Sequence, residues 1–203
     1  TIADFNGSQH NGNYVLVVSN DFGSVTTQAT NLQVDATPTS HTVASINMDM
    51  IFCPPGTFTM GSPTSETGRA TDETEHNVTL TKGFYLGKYE VTQAQYEAVM
   101  TGNPNSLSPT PSEWPNNPNR PVEKVSWDDA QIFLTRLNAQ QAANLPAGWS
   151  YVLPTESQWE YACRAGTTTA TAFGNSLSST QANFKGTVPY GGAATGPNLQ
   201  QTN

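Results

Sequence analysis

Six prolines stand between residues 101 and 121, at positions 104, 109, 111, 115, 118 and 121. Proline lacks a backbone N–H and holds φ near about −65°, so this stretch is neither helix nor central strand and runs as a long surface excursion. The same punctuation extends through the chain. Sixteen Gly and 14 Pro accompany an apolar fraction of 35%, which demands turns and irregular loops rather than long helices. A chain of 203 residues is nonetheless long enough to bury a core. A loop-rich α+β domain meets both conditions.

Three helices are announced by one device. Thr92-Gln93-Ala94-Gln95, Ser126-Trp127-Asp128-Asp129 and Thr155-Glu156-Ser157-Gln158 each set a hydroxyl at the N-cap and an acid or amide three residues later. That capping box satisfies two orphan backbone donors. In the second helix Ala130, Phe133, Leu134 and Leu137 fall on one face; in the third, Trp159, Ala162 and Cys163 do so before Gly166 ends it. Trp127, Trp159 and Tyr161 at such positions read as core, with a ligand groove as the alternative. Glu156 and Glu160 could serve as acid and base, yet a carboxylate in a first turn is favoured by the helix dipole without any chemistry.

Strand patterns occupy the rest. Met50-Ile51-Phe52 and Phe58-Thr59-Met60 flank a Pro-Gly turn, and Val78-Thr79-Leu80 and residues 84–91 alternate across Thr81-Lys82-Gly83. Between these pairs, Glu66, Asp72, Glu73, Glu75 and His76 lie in a Ser/Thr/Gly background. They lack the alternate-position carboxylates and the Gly of a calcium loop, so a solvated acidic loop is a simpler reading than a metal site. At the N-terminus, Tyr14 to Val18 and Leu32 to Val34 are short β-rich runs around the turn-formers 19–23, which reads as a hairpin. Residues 36–45 have the composition of a linker.

Eight basic against 16 acidic residues give a net charge of −8 with no Lys/Arg cluster, so nucleic acid is a poor partner. The longest apolar runs are far short of the roughly 20 residues a membrane span needs. Two cysteines, Cys53 and Cys163, are too few for a disulfide scaffold. Sequons at Asn6 and Asn77 matter only in a eukaryotic secretory setting.

Read in order, the motifs resemble the formylglycine-generating-enzyme (sulfatase-modifying factor) family. They are Met60-Gly61, Asp72-Glu73, His76 to Leu80, Glu90-Val91-Thr92 with Tyr96, Pro121-Val122, Val125 to Ala130, Leu153 to Glu156, and Trp159 to Gly166. The resemblance implies a C-type-lectin-like α+β fold over residues 46–203, with the C-terminal third of the domain missing. The preceding Asn11-Gly12-Asn13-Tyr14 is similar to the corner signature of immunoglobulin-like domains. Residues 1–35 would then be the last two strands of a truncated sandwich, with Leu16 where a disulfide cysteine often stands; an unrelated hairpin is the alternative. Val152 departs from the family, which usually has Arg before Leu-Pro-Thr-Glu.

Family members oxidise a cysteine of a client sulfatase to formylglycine with oxygen, copper and a cysteine pair in the C-terminal third. Cys53 and Cys163 do not occupy those motif positions, so no catalytic residue is assigned, the piece by itself is expected to be inactive, and copper enters only if the missing part carries the pair. Cys163 reads as an inert core residue or a structural disulfide partner. The resemblance also implies a structural calcium held by the Asn183 side chain and the Phe184 carbonyl, hard oxygen donors that suit that ion.

Two functions follow. One is an oxidoreductase acting on a sulfatase polypeptide; the fold's iron-dependent sulfoxide-synthase relatives fit less well, because an immunoglobulin-like hairpin stands where their helical domain would be. The other is a lectin-like ligand-binding or adhesion module with an extracellular ligand, part of a large exported protein that is periplasmic, cell-surface or secreted. Fold alone does not choose between them.

Overall fold

The computed structural model describes residues 40–115 and 117–198 in full and, of the first 39 residues, the backbone of four strands. The chain divides into two units, residues 1–39 and 40–203.

In the first unit β1 (Gly12–Tyr14) pairs antiparallel with β4 (Thr30–Leu32), and β2 (Val17–Asn20) with β3 (Gly23–Thr26). Asn20 faces Gly23, so the chain reverses inside the expected turn segment. The partners differ from expectation in detail, because Gly23–Thr26 is itself a strand and Tyr14 pairs with Thr30. Val34, Leu16 and Asn11, on which the immunoglobulin comparison leans, lie outside the described residues.

The second unit opens on β5 (Ser40–Val43) and a 3-10 turn (Ala44–Ile46), where linker was expected through residue 45. The physical reason is burial: Val43 is 1% and Ile46 7% exposed, and both belong to the main core. β5 pairs with β6 (Met48–Cys53), and β6 with β9 (Phe84–Gly87), while β7 (Gly56–Met60) pairs with β8 (His76–Leu80).

The last two pairings make one long ribbon. Cys53 faces Phe84 and Gly56 faces Leu80, so two intervening residues on one side, 54 and 55, match three on the other, 81 to 83, an offset of the bulge type. The sequence reading placed turns at Pro54-Pro55 and at 81–83; the structure places a kink there instead. Two prolines cannot donate to a ladder, so pairing lapses and resumes. Gly83 permits the kink, since a Cβ there would collide with the Phe52 ring.

α1 (Gln93–Met100), α2 (Trp127–Gln141) and α3 (Glu156–Arg164) each begin at the predicted capping box, on Thr92, Ser126 and Thr155. Tyr96, Val99 and Met100 of α1 and Phe133 and Leu137 of α2 bury against Val43 and Ile46. Val43 faces Met48 across the pleat, and Met48 and Met50 pack on the same cluster. Tyr96 stacks on Phe133, centroids 5.5 Å apart and 7° from parallel. α1 has no basic residue in its last turn. Arg136 of α2 supplies the cation, donating from Nε to the Val99 carbonyl at 2.8 Å and from Nη2 to that of Thr101 at 2.9 Å. Among the described residues, no helix is long and apolar enough to cross a membrane.

Candidate functional site

α3 sits differently from its hydrophobic reading. Trp159 is 58% exposed and Cys163 is exposed, so two of the three residues of the expected inward stripe face out, while Ala162 is half-buried. Its other side carries the anchors. Glu160 Oε1 accepts from the Gly61 N–H at 2.9 Å and from Arg164 Nε at 2.8 Å, while Arg164 Nη2 donates to the Gly61 carbonyl at 2.6 Å. Tyr161 meets Phe58 edge to face at 5.3 Å and lies over Gly56, where any Cβ would strike its hydroxyl. Charge-assisted bonds to a β-strand end therefore set the helix's rotation, and Trp159 and Cys163, one turn apart, are left outside. Glu160 is thus a structural carboxylate, and Glu156 is exposed in the first turn.

Trp127 is 68% exposed at the first position of α2, again contrary to the core reading. Val152, the departure from the family pattern, is 67% exposed.

Cys53 and Cys163 are both free thiols. Burial pushes the Cys53 thiol up from its ordinary value. In the acidic loop, Ser62 donates to Glu73 Oε2 at 2.7 Å and its carbonyl accepts from Arg69 Nε at 3.0 Å, while Asp72, Glu75 and His76 are exposed. Among the described residues no three His, Cys, Asp or Glu side chains gather as a metal site.

Asn183 and Phe184 follow a turn in which the Gln181 and Ala182 N–H groups both donate to the Ser178 carbonyl. Asn183 is exposed and Phe184 half-buried. Their neighbour Ser179 is fully buried, its Oγ without a partner, wedged where Gly186 and Gly196 leave room. A Cβ on either glycine would stand 2.5 Å from that oxygen. The Asn183 side-chain oxygen and the Phe184 main-chain carbonyl are donors that fit calcium in kind. The amide and carbonyl account for two of the about six to eight oxygens the ion takes.

A cleft of about 350 Å³ opens between the outer face of α1 and the proline excursion. The excursion is tied down by N–H donation from Gln93 to the Arg120 carbonyl at 2.9 Å and from Ala94 to that of Pro118 at 3.1 Å. Gln93 Nε2 also donates to the Trp114 carbonyl at 3.2 Å, and the Trp114 N–H donates to Glu123 Oε1 at 3.1 Å. The prolines foretold the excursion in sequence; that it folds back over α1 depends on these main-chain bonds, which leave no sequence signal.

The kinked ribbon, the three capped helices and the loop-rich tail define the α+β formylglycine-generating-enzyme fold. Residues 35–191 match the sulfatase-modifying factor enzyme 1-like domain, and the chain belongs to that family. The "Chaperone protein LppX" of Paenibacillus barcinonensis is 31% identical over 119 residues, covering 45% of this chain and 39% of that protein. The formylglycine-generating enzyme of Mus musculus is 26% identical over 161 residues, covering 58% of this chain and 40% of the enzyme. Among solved structures, PvdO from Pseudomonas aeruginosa matches with a TM-score of 0.55 at 25% identity, over 66% of this chain and 54% of that one. The chain spans about two fifths of the length of these curated relatives.

Proposed function

We propose that residues 40–198 form the client-binding scaffold of a sulfatase-modifying-factor domain, whose reaction class is oxidation of a sulfatase cysteine to formylglycine. The family match over residues 35–191 carries this reading, together with the three capping boxes and the Glu160–Arg164 anchor on Gly61. The chemistry draws on a close pair of thiols able to hold a soft cuprous ion. Cys53 and Cys163 are unpaired with each other and stand outside the family's motif positions, so no copper site or catalytic role is assigned to them.

The test is to mix the chain with a sulfatase peptide bearing the target cysteine, with copper and oxygen, and follow aldehyde formation by mass spectrometry and binding by tryptophan fluorescence. Binding without conversion is expected. Conversion lost on Cys53→Ser or Cys163→Ser would overturn the assignment of no catalytic cysteine here, and absence of binding would sink the client reading.

A second reading, a non-catalytic ligand-binding or adhesion module of an exported protein, is favoured by one observation. Trp114, Trp127, Trp149 and Trp159 are all at least 46% exposed, and exposed indoles are favoured contact groups at interfaces. A periplasmic, cell-surface or secreted setting belongs to both readings. Retained binding of a non-sulfatase ligand, with no affinity for the client peptide, would select this second reading.

Calcium held by the Asn183 side-chain oxygen and the Phe184 carbonyl belongs to the same proposal, as a structural ion bracing the turn that buries Ser179. Calcium should raise the melting temperature and a chelator lower it, with Asn183→Ala abolishing the response. A melting temperature indifferent to both would remove the ion from the account.

A further inference from the structure

The cleft between α1 and the proline excursion falls in the size range of small-ligand sites, about 300 to 1,000 Å³. Its walls are unusual in their stiffness. Pro109, Pro111, Pro115 and Pro118 contribute rings that lose little freedom when a ligand packs on them, and α1 forms the opposite wall. Trp114 stands beside lining residue Pro115, 66% exposed. Its backbone is held at both ends: the N–H donates to Glu123, and the carbonyl accepts from Gln93. The indole is therefore offered to solvent from a fixed point on the chain rather than from a loose loop.

The electrostatics of the cleft are one-sided. Glu97 is the only charged side chain among its described lining residues, and its carboxylate has no hydrogen bond or ion pair with any described residue. The neighbouring charges are already engaged. Glu113 pairs with Lys124 at 2.6 Å, Glu123 takes the Trp114 N–H, and the Arg120 guanidinium, which is not among the lining groups, donates from Nη1 to the Trp114 carbonyl at 3.5 Å. A carboxylate without a partner among the described residues, set beside proline ring walls, is complementary to a cation with an apolar body, since the charge favours the nitrogen and the rings favour the hydrocarbon.

We propose that this cleft binds a small organic ammonium compound, its charged nitrogen on Glu97 and its apolar body against the proline walls beside Trp114. The site is separate from the Asn183–Phe184 turn, uses neither cysteine, and does not depend on the sulfatase reading. Thr110 and Ser112 among the lining residues supply hydroxyls at the polar margin.

The test is titration of the full chain with benzylammonium, and with benzyl alcohol as its neutral counterpart, followed by calorimetry. Benzylammonium should saturate at millimolar concentration or below, with benzyl alcohol at least about tenfold weaker. Glu97→Gln should lose about tenfold in amine affinity and leave the alcohol unchanged. Ala94→Leu, a helix-compatible change at an exposed lining position, should block both ligands while the far-UV spectrum and melting curve stay native. Equal affinity for amine and alcohol, wild-type amine affinity in Glu97→Gln, or no saturation by about 10 mM would each overturn the proposal.

Discussion

Glu160 and Arg164, one turn apart on α3, close on the two polar groups of a single residue: the carboxylate takes the Gly61 N–H and the guanidinium takes the Gly61 carbonyl. The pair also bonds to itself, Arg164 Nη2 lying 2.8 Å from Glu160 Oε1, with both side chains about four-fifths buried. Gly61 has φ of +97°, and a Cβ there would meet the Thr74 carbonyl at 2.8 Å, so the docking point admits only glycine without strain.

Removing the arginine should therefore be costly. Arg164→Met breaks two charge-assisted bonds and strands a partly buried carboxylate, an expected loss of about 2–3 kcal/mol. For a domain of this size that lowers the melting temperature by roughly 4–12 °C. Arg164→Lys should recover only part of the loss, because one ammonium does not reproduce the guanidinium fork. A melting curve unchanged by Arg164→Met would show that the clasp contributes nothing to docking α3.

The end of α3 offers a gain. Gly166 was expected to stop the helix, yet the residue that first turns left-handed is Ala165, at φ of +46°. A side chain in that region costs roughly 1–2 kcal/mol, and glycine avoids it. Ala165→Gly should stabilise the protein by about 1 kcal/mol, read as a higher denaturant midpoint with an unchanged slope. A lower midpoint would contradict this account of the cap.

Alkali should unfold the domain through its phenols. Burial, and then the charge of Asp129, hold Tyr96 above its ordinary value, and burial does the same for Tyr151. The unfolded chain thus releases these protons first. Their contribution is complete below about pH 10 and is lost as pH rises through the folded values. Phenolate absorbance and circular dichroism should fall into step above that point, and Tyr96→Phe should flatten the decline. An equally steep loss in Tyr96→Phe would point to another group.

The two thiols should separate kinetically. Cys163 is exposed, whereas Cys53 is partly buried with its thiol pushed up, and only the thiolate attacks a disulfide reagent. At mildly alkaline pH one thiol should react about tenfold faster than the other, with Cys163→Ser deleting the fast phase. A single rate for both, or the absence of free thiol, would refute the assignment.

What the sequence determined by itself was local or cumulative. Thr92, Ser126 and Thr155 start their helices because a capping box is a contact among four consecutive residues. Phe133 and Leu137 are buried because their spacing repeats the helical period on a face with a partner. The motif blocks spelled out the family over most of the chain. Tertiary structure decided everything that required a distant group. Trp159 and Cys163 keep helical spacing yet face outward, because bonds to Gly61, about a hundred positions away, outweigh a three-residue apolar stripe. Val43 left the linker for the core because α1 and α2 arrived to cover it. The apparent turn at Pro54-Pro55 became a kink because Gly56 found Leu80 across the ribbon rather than a partner on β6. The cleft over Glu97 exists only where two segments meet, and no periodicity within either one records that meeting.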